Sequence, residues 1–403
     1  MGTVGIIATL DTKGLEASFL KEQIEASGHS ALLLDSGMLH SPAVTPDISR
    51  HEILHLAGVD DLESYRTYGK AGLQQAMTKG LKAMLVKLYK ENKIQAVLSL
   101  GGAQGTAMST AAMQMLPIGF PKVMISTIAC GSARFGDYVG TRDIVMIPSI
   151  TDICGLNSVT VPIFVSGCGA AVGMIESSKR TQWQTNRPVI ALTMAGVTTE
   201  CVTRVKNLLD VKGYETIVCH CNVVGAIVID EFAKEGKLNG VIDVTPHEVG
   251  GMLWNGLMSC NKHRFENIYA SGIPVMTLPG AVDFILKGPI QELPPELENR
   301  ARYEHTPFHT HIRTTYEEMY SIGKYLTERH KQCVGKNVIM VPQKGYSQQN
   351  AAGHPCYDPQ ANRGFIDAVL DHKAYSVGYE ERNMHINDPE FAEEIVKVFE
   401  SLM

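Results

Sequence analysis

The sequence lacks the features that mark several specialised classes of protein. Its nine cysteines are scattered and include no Cys-x-x-Cys pair. This spacing argues against a disulfide framework and favours free thiols in a reducing cytoplasm. The formal net charge is −6, so nucleic acid is not expected as a bulk electrostatic partner. The apolar stretch at residues 5–10 is too short for a signal peptide, and no membrane partner is expected.

Familiar catalytic motifs are also missing. The chain contains no Gly-x-Ser-x-Gly elbow and no kinase or metalloprotease signature. What remains is an ordinary soluble composition, with 44% hydrophobic and 19% charged residues over 403 positions. A chain of this length is too long for one core, so two or three domains are expected.

The most informative segment is a short apolar run that ends in glycines. The run Ala96–Leu100 predicts a buried strand, Gly101 and Gly102 allow a sharp turn, and a helix is expected from Thr106. Such a turn directs backbone N–H groups and the positive end of a helix dipole at one point, which suits a phosphate or carboxylate. No Lys-Ser/Thr pair follows, so the segment is not a P-loop. The alternative is a tight turn that binds nothing.

Strands and helices alternate along most of the chain. A strand at 4–10, a helix to about residue 27 and a strand at 31–34 form a βαβ unit, which implies a parallel sheet. The same alternation begins again near residue 187. We therefore predict an α/β fold of two doubly wound, Rossmann-like domains with mostly parallel sheets, at 1–185 and 186–403. Such pairs commonly bind ligands in the interdomain cleft, at the carboxyl ends of the strands.

Three polar residues follow the predicted first strand. Because the carboxyl ends of parallel strands meet at one edge of a sheet, Lys13 and the glycine turn could face the same anion. Asp11 could hold Mg²⁺ there. The alternative for Asp11 and Thr12 is that they only cap the helix that follows, and the alternative for Lys13 is a solvated surface lysine.

The second half contains further polar turns at predicted strand ends. Thr193, Gly196 and Thr198 form a second candidate anion turn. Glu248, beside His247, could act as a general base or metal ligand, with a capped helix as the alternative. Asp283 follows another glycine turn and is a second candidate acid.

A histidine-rich segment precedes Arg313. His309 and His311 would share a face if the segment is extended, which makes them a possible metal pair. The alternative is that they are ordinary polar loop residues. Arg313 could clamp a carboxylate or a phosphate.

In this order, the segments resemble the Tm-one-like ATP-binding domain family, an uncharacterised bacterial and plant family named after the tomato mosaic virus resistance protein. The matching segments are 7–14, 101–106, 193–199, 243–245, 272–274, 279–283, 313–315 and 385–389. The resemblance implies two Rossmann-like subdomains, an ATP site and a homodimer. It makes nucleotide-site candidates of Asp11, Thr12, Lys13, Gly101, Gly102, Gln104, Gly105 and Thr106.

One segment departs from the family pattern. Where the family has His-Ala-Thr-Gly-x-Gly-Gly, this chain has His-Cys-Asn-Val-Val-Gly-Ala at 220–226. Val223 and Val224 therefore occupy a turn in which a positive φ would be strained for a β-branched residue. The ligand that this turn holds in the family could be lost or altered here.

Three functional hypotheses follow. In the first, a cytoplasmic protein uses ATP and Mg²⁺ on a small acidic or sugar-derived metabolite, with Lys13 neutralising developing charge and Glu248 or Asp283 acting on the substrate. The second is a non-catalytic ligand sensor or partner-binding module, which the altered turn at 220–226 favours. The third is a nucleotide-independent lyase or isomerase of sugar acids, with Arg313 and the glycine turns holding the substrate.

Overall fold

The computed structural model describes residues 1–59, 69–130, 136–180 and 185–403. The chain divides into two compact units, Met1–Gln184 and Thr185–Met403, here called the first and second domains. Both domains are built on a parallel sheet with helices on both faces. The predicted α/β class with doubly wound, mostly parallel sheets is therefore confirmed.

The first domain contains one parallel sheet in its described residues. Its strands are β1 Thr3–Ala8, β2 Ser30–Asp35, β3 Ala96–Gly101, β4 Lys122–Ser126 and β5 Val145–Pro148. They lie in the order β2-β1-β3-β4-β5, and all four pairings are parallel. The chain therefore winds in one direction from β1 to β2 and in the other from β3 onward. The switch point between β1 and β3 is where such sheets bind ligands.

Helices cover both faces of this sheet. They are α1 Leu10–Ala26, α2 Arg50–His55, α3 Gly69–Lys90, α4 Ala103–Met113, α5 Gly136–Val139 and α6 Thr160–Arg180. Successive side chains of a strand point to opposite faces, so Ile6 packs with α1 and α6, whereas Ile7 packs with α3 and α4. This alternation within one buried strand produces two cores on either side of the sheet.

Helix α6 is the one helix among the described residues that is long and apolar enough to cross a membrane. Its buried residues Phe164, Ala171 and Ile175 share a core with β1, β3 and α1. At Gly167 a side chain would meet Ile125 of β4, because an added Cβ would lie 2.5 Å from the Ile125 Cδ1 atom. Its length and composition would allow it to span a bilayer, but it packs as a core helix of an α/β domain.

The second domain contains two sheets in its described residues. Its strands are β6 Val189–Met194, β7 Glu215–His220, β8 Gly240–Asp243, β9 Val275–Thr277, β10 Phe284–Lys287, β11 Arg302–Thr306, β12 His309–Arg313, β13 Asn337–Pro342 and β14 Gly378–Arg382. The parallel sheet has the order β14-β13-β9-β8-β6-β7, with its switch point between β6 and β8. The antiparallel sheet has the order β10-β12-β11 and was not predicted from the sequence.

The second domain's helices also lie on both faces of its parallel sheet. They are α7 Thr199–Val211, α8 Val224–Lys234, α9 Glu248–Leu253, α10 Glu266–Ala270, α11 Tyr316–His330, α12 Pro359–His372 and α13 Pro389–Leu402. Short 3-10 turns occur at Gly196–Thr198, Ile290–Glu292, Pro295–Leu297 and Gln348–Asn350. Helices α7 and α13 share one core with the sheet, and α8 and α10 share another.

Candidate functional site

A cavity of about 490 Å³ opens at the carboxyl ends of β1 and β3 in the first domain. It is lined by the turn after β1, the loop after β2, the first residues of α3 and the turn after β3. The lining residues are Thr9, Asp11, Thr12, Lys13, Met38, Leu39, Gly69, Leu73, Gly101, Gly102, Ala103, Gln104 and Gly105. The structure thus brings seven of the predicted first-domain site residues to one cavity at the switch point.

The glycine turn after β3 presents backbone donors to this cavity. Gly102 is the N-cap of α4, with φ −75° and ψ −167°, and its carbonyl accepts the Thr106 N–H at 2.8 Å. Within the described ranges, no protein acceptor takes the N–H groups of Ala103, Gln104 or Gly105. Three unpaired amides at the positive end of an 11-residue helix make this turn suited to an anion.

Close packing explains why glycine is needed at the start of this turn. A Cβ at Gly101 would lie 3.1 Å from the Gly105 Cα atom, so a side chain there would push the helix away from the strand end. Thr106 holds the other side of the turn, because its buried hydroxyl lies 2.7 Å from the Ser126 hydroxyl on β4. Thr106 therefore positions α4 and is not part of the cavity lining.

Asp11 organises the neighbouring loop. Its Oδ2 atom accepts the N–H groups of Met38, Leu39 and His40 at 3.0, 2.8 and 3.3 Å. The carboxylate therefore ties the loop after β2 to the first turn of α1, while Oδ1 has no hydrogen bond within the described residues. No group of three or more His, Cys, Asp or Glu side chains in those residues is arranged to hold a metal. One carboxylate oxygen fits a Mg²⁺ that takes its other ligands from phosphates and water.

Lys13 and Gln104 lie on the same lining as Asp11. The Lys13 ammonium donates to the carbonyl of Ile153, and the side chain is half-buried. A phosphate is a stronger acceptor than a carbonyl and could compete for this ammonium. The buried Nε2 atom of Gln104 has no hydrogen-bond partner in the described part of the chain. Thr12 is exposed, and its hydroxyl lies 2.9 Å from the Thr9 hydroxyl.

In the second domain, two of the predicted site residues are structural. The Thr193 hydroxyl donates to Asp243 Oδ1 at 2.7 Å, and the Thr198 hydroxyl lies 2.8 Å from the Thr245 hydroxyl. All four residues are buried and join the carboxyl ends of β6 and β8. These hydroxyls are therefore not free to hold an anion as predicted, whereas Gly196 lines a separate cavity.

Glu248 belongs to a buried ion network. Arg264 donates to Glu248 Oε1 at 2.8 Å and to both oxygens of Asp243 at 2.7 and 2.9 Å. Burial lowers the pKa of the Arg264 guanidinium, but Asp243 and Glu248 outweigh that effect, so its pKa lies well above the ordinary value. This pairing replaces the predicted role of Glu248 as a free general base.

Asp283 and Arg313 are buried near each other. Asp283 accepts a hydrogen bond from the Ser347 hydroxyl at 2.7 Å, and burial raises the pKa of its carboxyl even though Arg313 lowers it. Arg313 donates to the carbonyls of Asp283 and Asp358 and to the Asn362 side chain, and it is 4% exposed. These bonds join β12 to the loop before β10 and to the N-terminal end of α12, so Arg313 is a structural tie and not the predicted ligand clamp.

Sequence reasoning missed the loop after β2. Met38 and Leu39 line the first-domain cavity because Asp11 binds their N–H groups. The signal available in the sequence was Gly37, where a Cβ would lie 2.8 Å from the Asp11 carboxylate. A glycine three residues after a predicted strand is too common to identify such a contact.

Two family profiles together match nearly the whole chain. The N-terminal domain of the uncharacterised protein family UPF0261 matches residues 2–180, and the C-terminal domain of the same family matches residues 187–403. A UPF0261 protein from Clostridium tetani is 34% identical over 401 residues, which cover 99% of this chain and 98% of the relative.

The tomato relative is longer than this chain. The ToMV resistance protein Tm-1(GCR237) of Solanum lycopersicum is 34% identical over 416 residues, covering 98% of this chain and 55% of the tomato protein. Among solved structures, the UDP-GlcNAc 2-epimerase from Neisseria meningitidis bound to UDP-GlcNAc is 10% identical, with coverage of 92% and 100% and a TM-score of 0.26. That score is too low to transfer a function.

Proposed function

Because the chain belongs to the UPF0261 family, and because its first domain has an amide-rich cavity at a switch point, we propose that it binds a nucleotide, ATP with Mg²⁺. The main support for this proposal is the unpaired backbone N–H groups of Ala103, Gln104 and Gly105 at the start of α4. They would hold the phosphates, as helix N-termini at switch points do in other α/β proteins. Lys13 and the Gln104 amide would add donors on the same lining.

The cavity also has room and surface for the rest of a nucleotide. Its volume of about 490 Å³ lies within the usual range for small-molecule sites. Met38, Leu39 and Leu73 supply an apolar part of the lining against which a base could pack. Asp11 Oδ1 would contribute one ligand to Mg²⁺, whose chemistry is to neutralise phosphate charge.

The wider proposal concerns what the nucleotide is used for. We propose a cytoplasmic homodimer that uses ATP on a small acidic or sugar-derived metabolite. Free thiols, the absence of a catalytic motif of another class and the family resemblance support this reading. This proposal gives Glu248 and Asp283 no role on the substrate, because both carboxylates are fully buried and hydrogen-bonded within the second domain.

A non-catalytic sensor is the second candidate. The observation that favours it is the same burial of Glu248 and Asp283, which leaves neither predicted acid free to act on a substrate. Incubating the pure protein with ATP–Mg²⁺ and candidate acids separates the two candidates. Binding without turnover of any of them supports the sensor, whereas nucleotide hydrolysis or transfer supports the enzyme.

Calorimetric titration of the full chain with ATP–Mg²⁺, ATP alone, ADP and inorganic phosphate tests the binding proposal. The sharpest variant is Ala103→Pro, because proline is compatible with the first position of a helix and removes one unpaired amide. We expect its ATP affinity to fall about tenfold, which corresponds to the loss of one charge-assisted hydrogen bond. Lys13→Ala should weaken binding by a similar factor.

The matched control is Lys90→Ala, which removes an exposed lysine at the end of α3. It should bind ATP as the unmodified protein does. Unchanged melting temperatures for all three variants would show that they fold. The proposal fails if millimolar ATP–Mg²⁺ does not bind, or if Ala103→Pro binds ATP with undiminished affinity.

A further inference from the structure

A second cavity, of about 220 Å³, lies at the switch point of the second domain. On one side are the turns that follow β6, β7 and β8, and on the other is one face of the antiparallel sheet. The lining residues are Ala195, Gly196, Val197, His220, Cys221, His247, Met258, Phe284, Leu286, His305, Thr306, His309 and His311. The volume corresponds to about seven water molecules, so the cavity suits a small molecule.

The antiparallel sheet supplies a wall of flat rings. Alternate residues of a strand share a face, so Phe284 of β10, His305 of β11 and His311 of β12 come together. The His311 ring stacks on Phe284 at 3.9 Å between centroids and on His305 at 4.9 Å. With Leu286 and Met258, this wall could pack against the carbon skeleton of a ligand.

His247 presents a hydrogen-bond acceptor in this cavity. Its Nδ1 atom lies 2.7 Å from the Ala281 carbonyl, so Nδ1 carries the proton and Nε2 keeps a lone pair. The residue is 3% exposed, and within the described residues no protein donor reaches Nε2. Burial lowers the pKa of His247 to about 4, so the ring is neutral near pH 7.

His311 is a buried polar residue on the same lining. It is 4% exposed, and no residue that the structure describes forms a hydrogen bond with its buried Nδ1 atom. Buried polar atoms in folded proteins almost always have a partner, so an unpaired nitrogen on a cavity lining indicates a ligand or water. Burial, together with the neighbouring His247, His305 and His309, lowers the pKa of His311 to about 3.

Backbone donors lie on the same lining. The Thr198 N–H donates to the Ala195 carbonyl at 3.0 Å as the chain enters α7, a helix of 13 residues. In the described part of the chain, no protein acceptor takes the N–H groups of Gly196 or Val197. These two amides point to an anionic group in the ligand.

The charge of the lining distinguishes a carboxylate from a phosphate. No Lys, Arg, Asp or Glu is among the thirteen described lining residues, and the two most buried histidines are neutral. Phosphate sites usually include Arg or Lys, because a multiply charged group needs compensation. A lining with amide donors and neutral imidazoles is better matched to a single negative charge.

We propose that this cavity binds a small monocarboxylate that carries a hydroxyl group. The carboxylate accepts the N–H groups of Gly196 and Val197, and the hydroxyl donates to His247 Nε2. A ligand atom or a water held by the ligand pairs with His311, and the carbon skeleton lies against Phe284. The site consists of second-domain residues only and does not depend on nucleotide binding in the first domain.

Four related probes test the recognition chemistry on the full chain without nucleotide. Lactate carries both groups, propionate lacks the hydroxyl, 1,2-propanediol lacks the carboxylate, and inorganic phosphate replaces the carboxylate. Saturation-transfer NMR and calorimetry should show saturable binding of lactate. Propionate should bind about tenfold more weakly, because the buried His247 acceptor would then have no donor. The diol and phosphate should not compete with lactate.

Two variants locate the site. His247→Asn keeps a donor near the Ala281 carbonyl but removes the Nε2 acceptor, and it should reduce lactate affinity about tenfold while leaving the weaker propionate affinity unchanged. His311→Phe keeps the ring stack with Phe284 and removes both nitrogens, and it should weaken both acids. The control, His263→Asn, changes an exposed histidine of the same domain and should have no effect. Circular dichroism of each variant checks that it folds.

Several results would overturn the proposal. One is the absence of saturable lactate binding by the unmodified protein at millimolar concentration. Others are tighter binding of phosphate than of lactate, equal binding of lactate and the diol, or saturable binding of Zn²⁺ that excludes lactate. Loss of ATP binding in the first-domain variant Ala103→Pro with lactate binding intact would leave it standing, because the two sites share no residue.

Discussion

Val223 has a backbone conformation that β-branched residues rarely adopt. Its φ is +72° and its ψ is −54°, at the N-terminus of α8. The structure therefore has a positive φ at the first of the two valines in the turn at 220–226, where strain was expected. Non-glycine residues in such conformations cost about 1–3 kcal/mol, which packing elsewhere in the domain offsets.

Replacing Val223 by glycine should stabilise the second domain. Glycine adopts a positive φ without strain but loses more conformational entropy on folding, so we expect a net gain of about 1 kcal/mol. Urea unfolding followed by circular dichroism measures this change. Val224→Gly, one residue later in the first turn of α8, should instead lose about 0.5 kcal/mol. Equal effects of the two changes would contradict strain at Val223.

Arg264 neutralises two buried carboxylates, and its removal should be costly. In Arg264→Met, Asp243 and Glu248 would remain buried without their cation. We expect a loss of about 3–5 kcal/mol of unfolding free energy, as for other broken buried ion pairs. The control is Arg363→Met, which breaks the exposed pair with Asp367 and should change stability by less than about 1 kcal/mol. A small effect at both positions would mean that water reaches the Arg264 network.

At the scale of elements, substitutions at two glycines of α6 test whether this apolar helix packs in the core. Gly167 faces Ile125, whereas Gly169 has open space where a Cβ would be. Gly167→Leu should destabilise the first domain by about 1–3 kcal/mol through overpacking. Gly169→Leu should be neutral or slightly stabilising, because leucine favours a helix more than glycine does. Thermal unfolding of the two variants gives the comparison, and identical melting temperatures would show that α6 does not pack on the sheet.

The antiparallel sheet β10-β12-β11 is the element that changes the view of the second domain most. His309 and His311 lie on a strand and share a face, as expected if this segment is extended. They face Phe284 and His305 across the sheet, and no described metal cluster includes them. His309 and His311, which the sequence suggested as a possible metal pair, therefore form part of one wall of a small cavity.

For the whole molecule, buried histidines predict sensitivity to acid. Burial lowers the pKa of His247 and His330 to about 4 and that of His311 to about 3, whereas an unfolded histidine titrates near about 6.5. The unfolded chain therefore binds more protons than the folded one as the pH falls below about 6.5. Stability present at pH 7 should be lost between about pH 6.5 and 4, and down to about pH 3 for His311, by about 2 kcal/mol per histidine on going to pH 5.

Urea unfolding at pH 7 and pH 5 measures this loss. His330→Gln removes one titrating group, so its stability should fall less between the two pH values, although it is less stable overall. His263→Gln changes an exposed histidine and should retain the full pH dependence. The buried Asp283, whose pKa burial raises, acts in the opposite direction but is common to all three proteins. An unchanged slope in His330→Gln would contradict the prediction.

The strand orders of the two domains follow the same rule. In each domain the second strand lies outside the first, the later strands continue on the other side, and a cavity opens at the reversal. The first-domain cavity combines amide donors with Lys13. The second-domain cavity combines amide donors with neutral histidines. The same topology therefore places two chemically different sites at equivalent positions of the two sheets.

Local sequence was sufficient to predict the strands of the parallel sheets, the glycine turns and the doubly wound fold class. Apolar strands such as Ala96–Gly101, glycines at strand ends and amphipathic helices are features of neighbouring residues, and short-range sterics and burial determine them. Contacts between residues that are distant in the chain could not be predicted from such local features. From the sequence, Glu248 and Asp283 were candidate free acids, but in the folded domain they pair with Arg264 and Ser347, respectively. His311 joined Phe284 and His305 only through strand pairing, because a side chain's chemistry depends on neighbours that sequence distance does not reveal.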